Sequence, residues 1–449
     1  MHIKDALEND RMFKTDAAYQ NWMTKYRYGD EEPLDTWRRV ARTLASVERK
    51  EDRSKWEDKF LKTIVKFDDE GNPIGLKCTT GGRTTANIGT AFKGATLLNC
   101  FISGAVSGAT INYERKSHDG QISYPVKIKS DENPDDLINI FLTIMEQSKT
   151  LASEGGYGIN FDWIRPRGAI IKGTGIEHPG VVSYMKIWDS VAECIVKGNQ
   201  DGYVDRIKNY LQDDKVFKEG VEAVKVATRK GAMMGSLSVS HPDVEEFVRA
   251  KQEKGTLTKF NMSVVIDDTF MRAVENDDFY DLTFGEKVYK RIKACDLYDL
   301  IMESTYNRNE PGVLFQGNMM RNNPLAYLGK LTSSNPCGEI GGLSTLTTVC
   351  LLGSINLTQY VEMNGRRGRN FDWEQYREDI QVFTRMLDNV NDLTRTALPS
   401  YDWAVRNIRQ FGMGINGLGS TLMMLGIPYN SKEAVTFTRS VCETKENLT

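Results

Sequence analysis

The chain has 449 residues, 58 of them basic and 61 acidic, for a formal net charge of -3. That length exceeds one small core and implies two or three domains, or one large α/β barrel with an attached helical region. The charge balance lacks the basic excess of a nucleic-acid binder, no run of about eighteen apolar residues is present, and MHIKDALENDRMFK is not a signal peptide, so the expectation is a cytoplasmic protein with no membrane or nucleic-acid partner.

Residues 16–68 read as helical, with Trp22, Trp37, Val40, Ala41, Leu44 and Val47 in helix-like steps and Asp35 or Thr36 as a cap. The glycine- and threonine-rich stretch CTTGGRTTANIGTAFKG reads as loops lining a site. Residues 135–153 predict an amphipathic helix with a stripe of Leu137, Ile140, Phe141, Ile144 and Met145, two acids standing at its start. A short strand at GGYGINF follows, then helices at 179–197 and 242–254, and strands at 262–266, 281–284, 313–315 and 355–357. A long helix is expected over 373–397, a glycine-interrupted helix or turn-helix within 403–426, and a further helix starting near Ser431. Alternating strands and helices argue for an α/β class. The charged segment 199–225 reads as a surface insertion.

Seven cysteines, odd in number and in no CxxC pair, argue against a disulfide scaffold, and four scattered histidines against a histidine-built metal site. Cys194, Cys295 and Cys442 read as small hydrophobes. SSNPCGEIGG at 333–342 is different, since Cys337 stands two residues from both Asn335 and Glu339. An i, i+2 spacing in extended or tightly looped backbone turns the three side chains to one side. No histidine is near enough in sequence to serve as base, and a carboxylate raises a thiol pKa, so a Cys–His hydrolase is disfavoured. A thiol that moves a hydrogen atom while Glu339 takes a proton from the same substrate fits better, with Asn335 fixing a hydroxyl pair. Cys100 and Cys350 are then a redox pair, or alternatively core cysteines beside Leu97, Leu98, Leu351 and Leu352.

The segments TLLNC, EGGYGINFDWIRPRG, RKGAMMGSLSVSHPDVEEF, FNMSVVIDDTFMRAV, EPGVLF, SNPCGEI, GSINL, LDNVND and FGMGINGLGSTLMMLGIPY, in this order, resemble the catalytic large subunit of ribonucleotide reductases. The resemblance implies a ten-stranded α/β barrel of two antiparallel-joined halves, each of five parallel strands. Here the barrel is expected to occupy 96–449 and to be incomplete, after an N-terminal helical region at 1–95. It implies Cys337 as the radical cysteine on a central finger loop, Glu339 as acceptor of the 3'-hydroxyl proton, and Asn335 as a hydrogen-bonding partner of the hydroxyls. Cys100 would protonate the leaving 2'-hydroxyl, and Cys350 would complete the disulfide. Asn99, Cys100, Phe101 and Asn335 would line the pocket of a ribonucleoside di- or triphosphate.

The resemblance also implies a dNTP or ATP effector with Mg2+ near Asp135, Asp136, Arg165, Lys172, Lys254 and Lys259, Lys251 also being able to meet phosphate. Of the adjacent acids, at least one would face a hydroxyl, a base or the magnesium. NPCGE together with GGR at 81–83 is most like the adenosylcobalamin-dependent class, although phage enzymes mix these patterns; the alternative radical source is a separate metallo-radical subunit. A thioredoxin- or glutaredoxin-like reductant, a homodimer or hetero-oligomer, and a second polypeptide completing the barrel are further expectations. The competing reading is a non-catalytic effector-binding or assembly subunit.

Overall fold

The computed structural model describes residues 12–13, 15–91, 95–104, 110–116, 123–129, 135–171, 173–198, 231–364, 368–396 and 398–449. The expected insertion at 199–225 and Lys172 lie outside the described residues.

Three helices open the chain, Asp16–Lys25, Pro33–Ala45 and Arg53–Ile64. The second starts earlier than the sequence suggested. Glu32 is its cap, Pro33 fills the first turn, and Asp35 returns a bond to the Glu32 N–H at 3.3 Å. Thr36 is instead buried, accepting the Trp22 indole N–H at 3.1 Å. Trp37, Val40, Ala41 and Leu44 form the buried face, whereas Val47 lies beyond the helix and is exposed.

A six-stranded sheet follows. Its order is Gly312–Phe315, Phe260–Ile266, Met233–Ser238, Gly156–Asn160, Cys100–Ile102 and Thr348–Cys350. The first five strands are parallel, and Thr348–Cys350 runs antiparallel to Cys100–Ile102. After Leu351 the same stretch of chain continues as Leu352–Asn356, the centre of a three-stranded sheet. That strand pairs in parallel with Gly412–Asn416 and antiparallel with Cys78–Thr80. One bent segment, 348–356, therefore joins two parallel systems in opposite directions. The fold is mixed α/β, and among the described residues the strands do not close into a ring of ten.

Two cores form, and the one over the small sheet also takes in Phe101 and Val349 from the last two strands of the large sheet. Helices Leu137–Ala152, Val181–Gly198, Val244–Arg249, Asp268–Glu275 and Ala294–Arg308 cover one face of the large sheet, around Phe161, Trp188 and Phe260. The N-terminal helices join Trp373–Leu393, Pro399–Asn407 and Lys432–Leu448 over the small sheet, around Leu44, Phe60, Tyr376 and Phe383. Ser431 caps the last helix by accepting the Ala434 N–H at 3.1 Å.

Two local expectations change, and the strand expected at 281–284 forms as expected. Within CTTGGRTTANIG, residues Gly82–Asn87 form a short helix, because Thr84 and Asn87 are buried and donate to the Leu97 and Thr96 carbonyls at 2.8 and 3.0 Å. Residues 281–284 belong to a separate hairpin, Phe279–Phe284 with Lys287–Lys293. The stripe on Leu137–Ala152 is rotated: Ile140 and Ile144 are buried beside Asn139, Thr143 and Gln147, while Leu137, Phe141 and Met145 are exposed.

Candidate active site

The site is built on the large-sheet face that carries no helices. In the strand GYGIN, Tyr157 and Ile159 enter the helix-side core, so Gly156, Gly158 and Asn160 point the other way. A hairpin, Leu331–Ser334 with Gly341–Leu343, lies directly on this bare strip. Asn160 and Ser236 donate to the Thr332 carbonyl at 2.8 and 3.0 Å, and Asn261 to the Pro336 carbonyl at 2.8 Å. A Cβ at Gly158 would overlap the Ser334 carbonyl, and one at Gly342 the Ile102 side chain. Glycine at both positions lets the two backbones approach.

The hairpin ends in a tight turn in which the Gly338 N–H donates to the Asn335 carbonyl at 3.0 Å, with Gly338 at φ 84°. Asn335 and Pro336 are buried, whereas Cys337, Gly338 and Glu339 are exposed at the tip. A looped backbone, not strand alternation, decides where the three side chains go. The Asn335 amide reaches the Cys100 sulfur at 3.7 Å, and its oxygen accepts the Ile340 N–H at 3.1 Å. The Cys350 thiol lies 3.9 Å from a Glu339 carboxylate oxygen.

Cys100 and Cys350 stand directly opposite each other in the antiparallel ladder. Opposed residues there have Cα atoms roughly 4.5–5.5 Å apart, inside the reach of a disulfide. Both are buried and reduced. Cys100 is the more acidic. The Cys350 hydrogen bond lowers its pKa, with help from Asn335 and Arg83, against burial and the Glu339 charge. Cys350 is pushed upward, first as donor to Cys100 and then by burial. Burial, followed by the Glu339 charge, also raises the Cys337 thiol. The five residues singled out from sequence thus meet at one point.

Comparison with known proteins identifies the family. The ribonucleotide reductase barrel domain matches residues 128–202 and 208–446. The chain belongs to the ribonucleotide reductase family. The vitamin B12-dependent ribonucleoside-diphosphate reductase of Thermoplasma acidophilum is 34% identical over 304 residues, covering 67% of this chain and 35% of that protein. The enzyme of the same name from Mycobacterium tuberculosis (strain CDC 1551 / Oshkosh) is 34% identical over 304 residues, 67% of this chain and 39% of that protein. The ribonucleoside-diphosphate reductase subunit alpha of Chlamydia muridarum is 25% identical over 478 residues, 96% of this chain and 39% of that protein. The chain therefore spans between 35% and 39% of the length of these reductases.

The remaining residues that the reductase resemblance singled out are distributed as follows. Asn99 lines a cavity of about 450 Å³ with Thr79, Thr80, Gly81, Ser354 and Asn416, and its buried side-chain oxygen has no partner. Phe101 faces the core, stacked on Tyr401 with ring centroids 4.4 Å apart. Asp135 is held in a two-pronged ion pair by Arg165, one arm at 2.8 Å. Asp136 occupies the cap position of the next helix, where its carbonyl accepts the Ile140 N–H at 3.1 Å. Lys254 is exposed, Lys259 is half-buried, and Lys251 pairs with Glu310.

Two further charged residues at the site, Arg83 and Glu154, form a partly buried ion pair at 3.3 Å. Seventy-one positions separate them. The only sequence signal was the presence of each in a glycine motif, GGR and EGG. Among the described residues no group of three or more metal-binding side chains is gathered, and no helix is long and apolar enough to cross a membrane.

Proposed function

We propose that this chain carries the catalytic cysteines of a ribonucleotide reductase that converts ribonucleoside di- or triphosphates to 2'-deoxyribonucleotides. The observation that carries the reading is the cross-strand register of Cys100 and Cys350 beside a loop tip bearing Cys337. Cys337, as a thiyl radical, takes the 3'-hydrogen of the ribose. Glu339 accepts the 3'-hydroxyl proton, and Asn335 orients the hydroxyls beside Cys100. Cys100 gives its proton to the departing 2'-hydroxyl. The two thiols together supply two electrons and become a disulfide, which a thioredoxin- or glutaredoxin-like dithiol reduces again.

The radical source proposed is adenosylcobalamin, in keeping with the names of the Thermoplasma and Mycobacterium relatives. The exposed tip fits such a group, since Cys337 is open to approach and nothing lies within 4 Å of where a Gly338 side chain would begin. When bound, the cofactor supplies an organic radical able to remove the Cys337 hydrogen. A separate metallo-radical subunit is the alternative source.

Asp135, Asp136 and Arg165, with Lys172, Lys254 and Lys259, are proposed to hold a dNTP or ATP effector and its Mg2+. The exposed Leu137, Phe141 and Met145 suit a dimer contact next to that site. Gly412–Asn416 forms the edge of the small sheet, and further polypeptide, continuous or separate, is proposed to add strands there. The second reading is an effector-binding or assembly subunit without turnover.

The test is reduction of cytidine di- and triphosphate with adenosylcobalamin and dithiothreitol, by the chain alone and with the polypeptide carrying the remaining strands. Deoxynucleotide should form in the combined sample and vanish in Cys337→Ser. A silent combined sample that still binds dNTP supports the second reading, activity surviving Cys337→Ser rejects the mechanism, and dependence on an iron or manganese protein replaces the cobalamin.

A further inference from the structure

Resting on that reading of the cysteines, we propose that Arg83, braced by Glu154, is the cation that steadies the Cys100 sulfur when this thiol gives up its proton. The GGR segment packs against Asn99 and Leu352, which stand near Cys100 and Cys350 in the chain. The Gly81 N–H donates to the Leu352 carbonyl at 2.6 Å, and a Cβ on Gly81 would stand 2.7 Å from the Asn99 side-chain oxygen. Only glycine lets this segment sit against the neighbours of both Cys100 and Cys350. Arg83 follows two residues later, 9% exposed, with its guanidinium donating to Glu154 at 3.3 Å.

Glu154 is placed with similar economy. It is a non-glycine residue at φ 66°, a conformation that costs free energy and is retained where the surroundings enforce it. Two residues on, Gly156 donates to the Asn99 carbonyl at 3.0 Å and passes so close to Cys100 that a Cβ would lie 2.8 Å from the sulfur. The ion pair therefore ties the end of the Leu137–Ala152 helix to the GGR turn, with the catalytic strand between them. A positive charge held in a poorly solvated place acts strongly on nearby ionisation. The Arg83 charge favours the Cys100 thiolate, whereas the Glu339 charge opposes it.

In the step concerned, the Cys100 S–H bond breaks and the proton goes to the 2'-oxygen. The C2'–O bond then breaks, water departs, and the electron pair of the former S–H bond stays on sulfur. A cation behind that sulfur stabilises the thiolate until it joins Cys350 in the disulfide. Arg83 does not touch the substrate in this account; it is a positioning residue acting through Cys100.

The test reads the thiol directly. The full chain, reduced under argon, is alkylated with iodoacetamide across a pH series, and Cys100 modification is followed by peptide mass spectrometry with exposed Cys442 as internal control. Arg83→Gln should raise the Cys100 midpoint by about one unit, a roughly tenfold slower reaction below it, while Arg83→Lys, which keeps the charge, stays within about half a unit of wild type. An unchanged midpoint in Arg83→Gln, or a Lys variant shifted as far as Gln, overturns the proposal. If Arg83→Gln does not fold, Glu154→Gln leaves Arg83 less neutralised and should lower the midpoint; one that does not fall also overturns it. The measurement needs neither nucleotide nor radical source, so its failure and a failure of reductase activity are separate results.

Discussion

The two sheets bury their helix-covered faces in the same way and use their other faces in opposite ways. On the large sheet, Gly156, Gly158 and Asn160 strip the surface bare so that a hairpin can rest on backbone. On the small sheet, Thr79, Ser354 and Asn416 face a cavity of about 450 Å³. One half is filled by its own chain and the other keeps room for something else. Cys100, Cys337 and Cys350 lie where filled and open halves meet, an arrangement suited to presenting a rigid tip to a movable ligand.

The largest test of this contrast is Gly158→Val. A side chain there displaces the Ser334 carbonyl, so turnover by the assembled enzyme should fall at least as far as in Cys337→Ser, while overpacking costs about 1–3 kcal/mol in urea unfolding. The same substitution at Ser354, on the open side, should leave the hairpin seated and act mainly on KM; a comparable loss at both positions would erase the distinction.

Next is Phe383→Ala, which removes a fully buried ring packed against Gly353. It should destabilise the small-sheet half by about 3–5 kcal/mol, seen in hydrogen exchange as faster opening of 373–393 than of 294–308.

The halves should also differ in their response to pH. Glu146, in the large-sheet half, is raised to about 7 by burial, against hydrogen bonds from Ser103, Tyr157 and Tyr401. A folded value above the ordinary 4.5 means its contribution is complete below 4.5 and lost as pH rises through about 7. Glu48 runs the other way. Its hydrogen bonds from Arg385, the largest influence, and Asn389 hold it below 4.5, so its contribution is present above 4.5 and lost as pH falls through the folded value. Urea midpoints should therefore decline toward alkaline pH in wild type and less so in Glu146→Gln, whereas Glu48→Gln should flatten only the acid side. The smallest effect is Lys62→Ala, whose exposed 2.8 Å pair with Asp58 spans one helical turn and contributes roughly 0.3–0.5 kcal/mol.

The hairpin grouping was legible because Asn335, Cys337 and Glu339 sit within five residues, a density of polar and titratable groups that packing does not require. Long-range order was only partly so. GMGIN at 412–416 looked helical in its glycine spacing, yet its partner Leu352–Asn356 draws it into a parallel strand. The Leu137–Ala152 stripe misled in a different way, since Gln147 is buried by donating to the Trp188 carbonyl at 2.8 Å, a bond no periodicity reveals. Arg83 and Glu154 fall in the same class, each unremarkable until the fold brings them together.

The opposed cysteines bridge two neighbouring strands that share one core, with Leu98, Phe101, Val349 and Leu351 all packed in it, so a bond between them would rivet together segments far apart in the chain. Closing a span of some 250 residues restricts the unfolded chain by about 5.5 kcal/mol in the loop-entropy account. Every catalytic round would then alternate a fastened and an unfastened protein, and the spent form, waiting for its reductant, would be the sturdier one in storage.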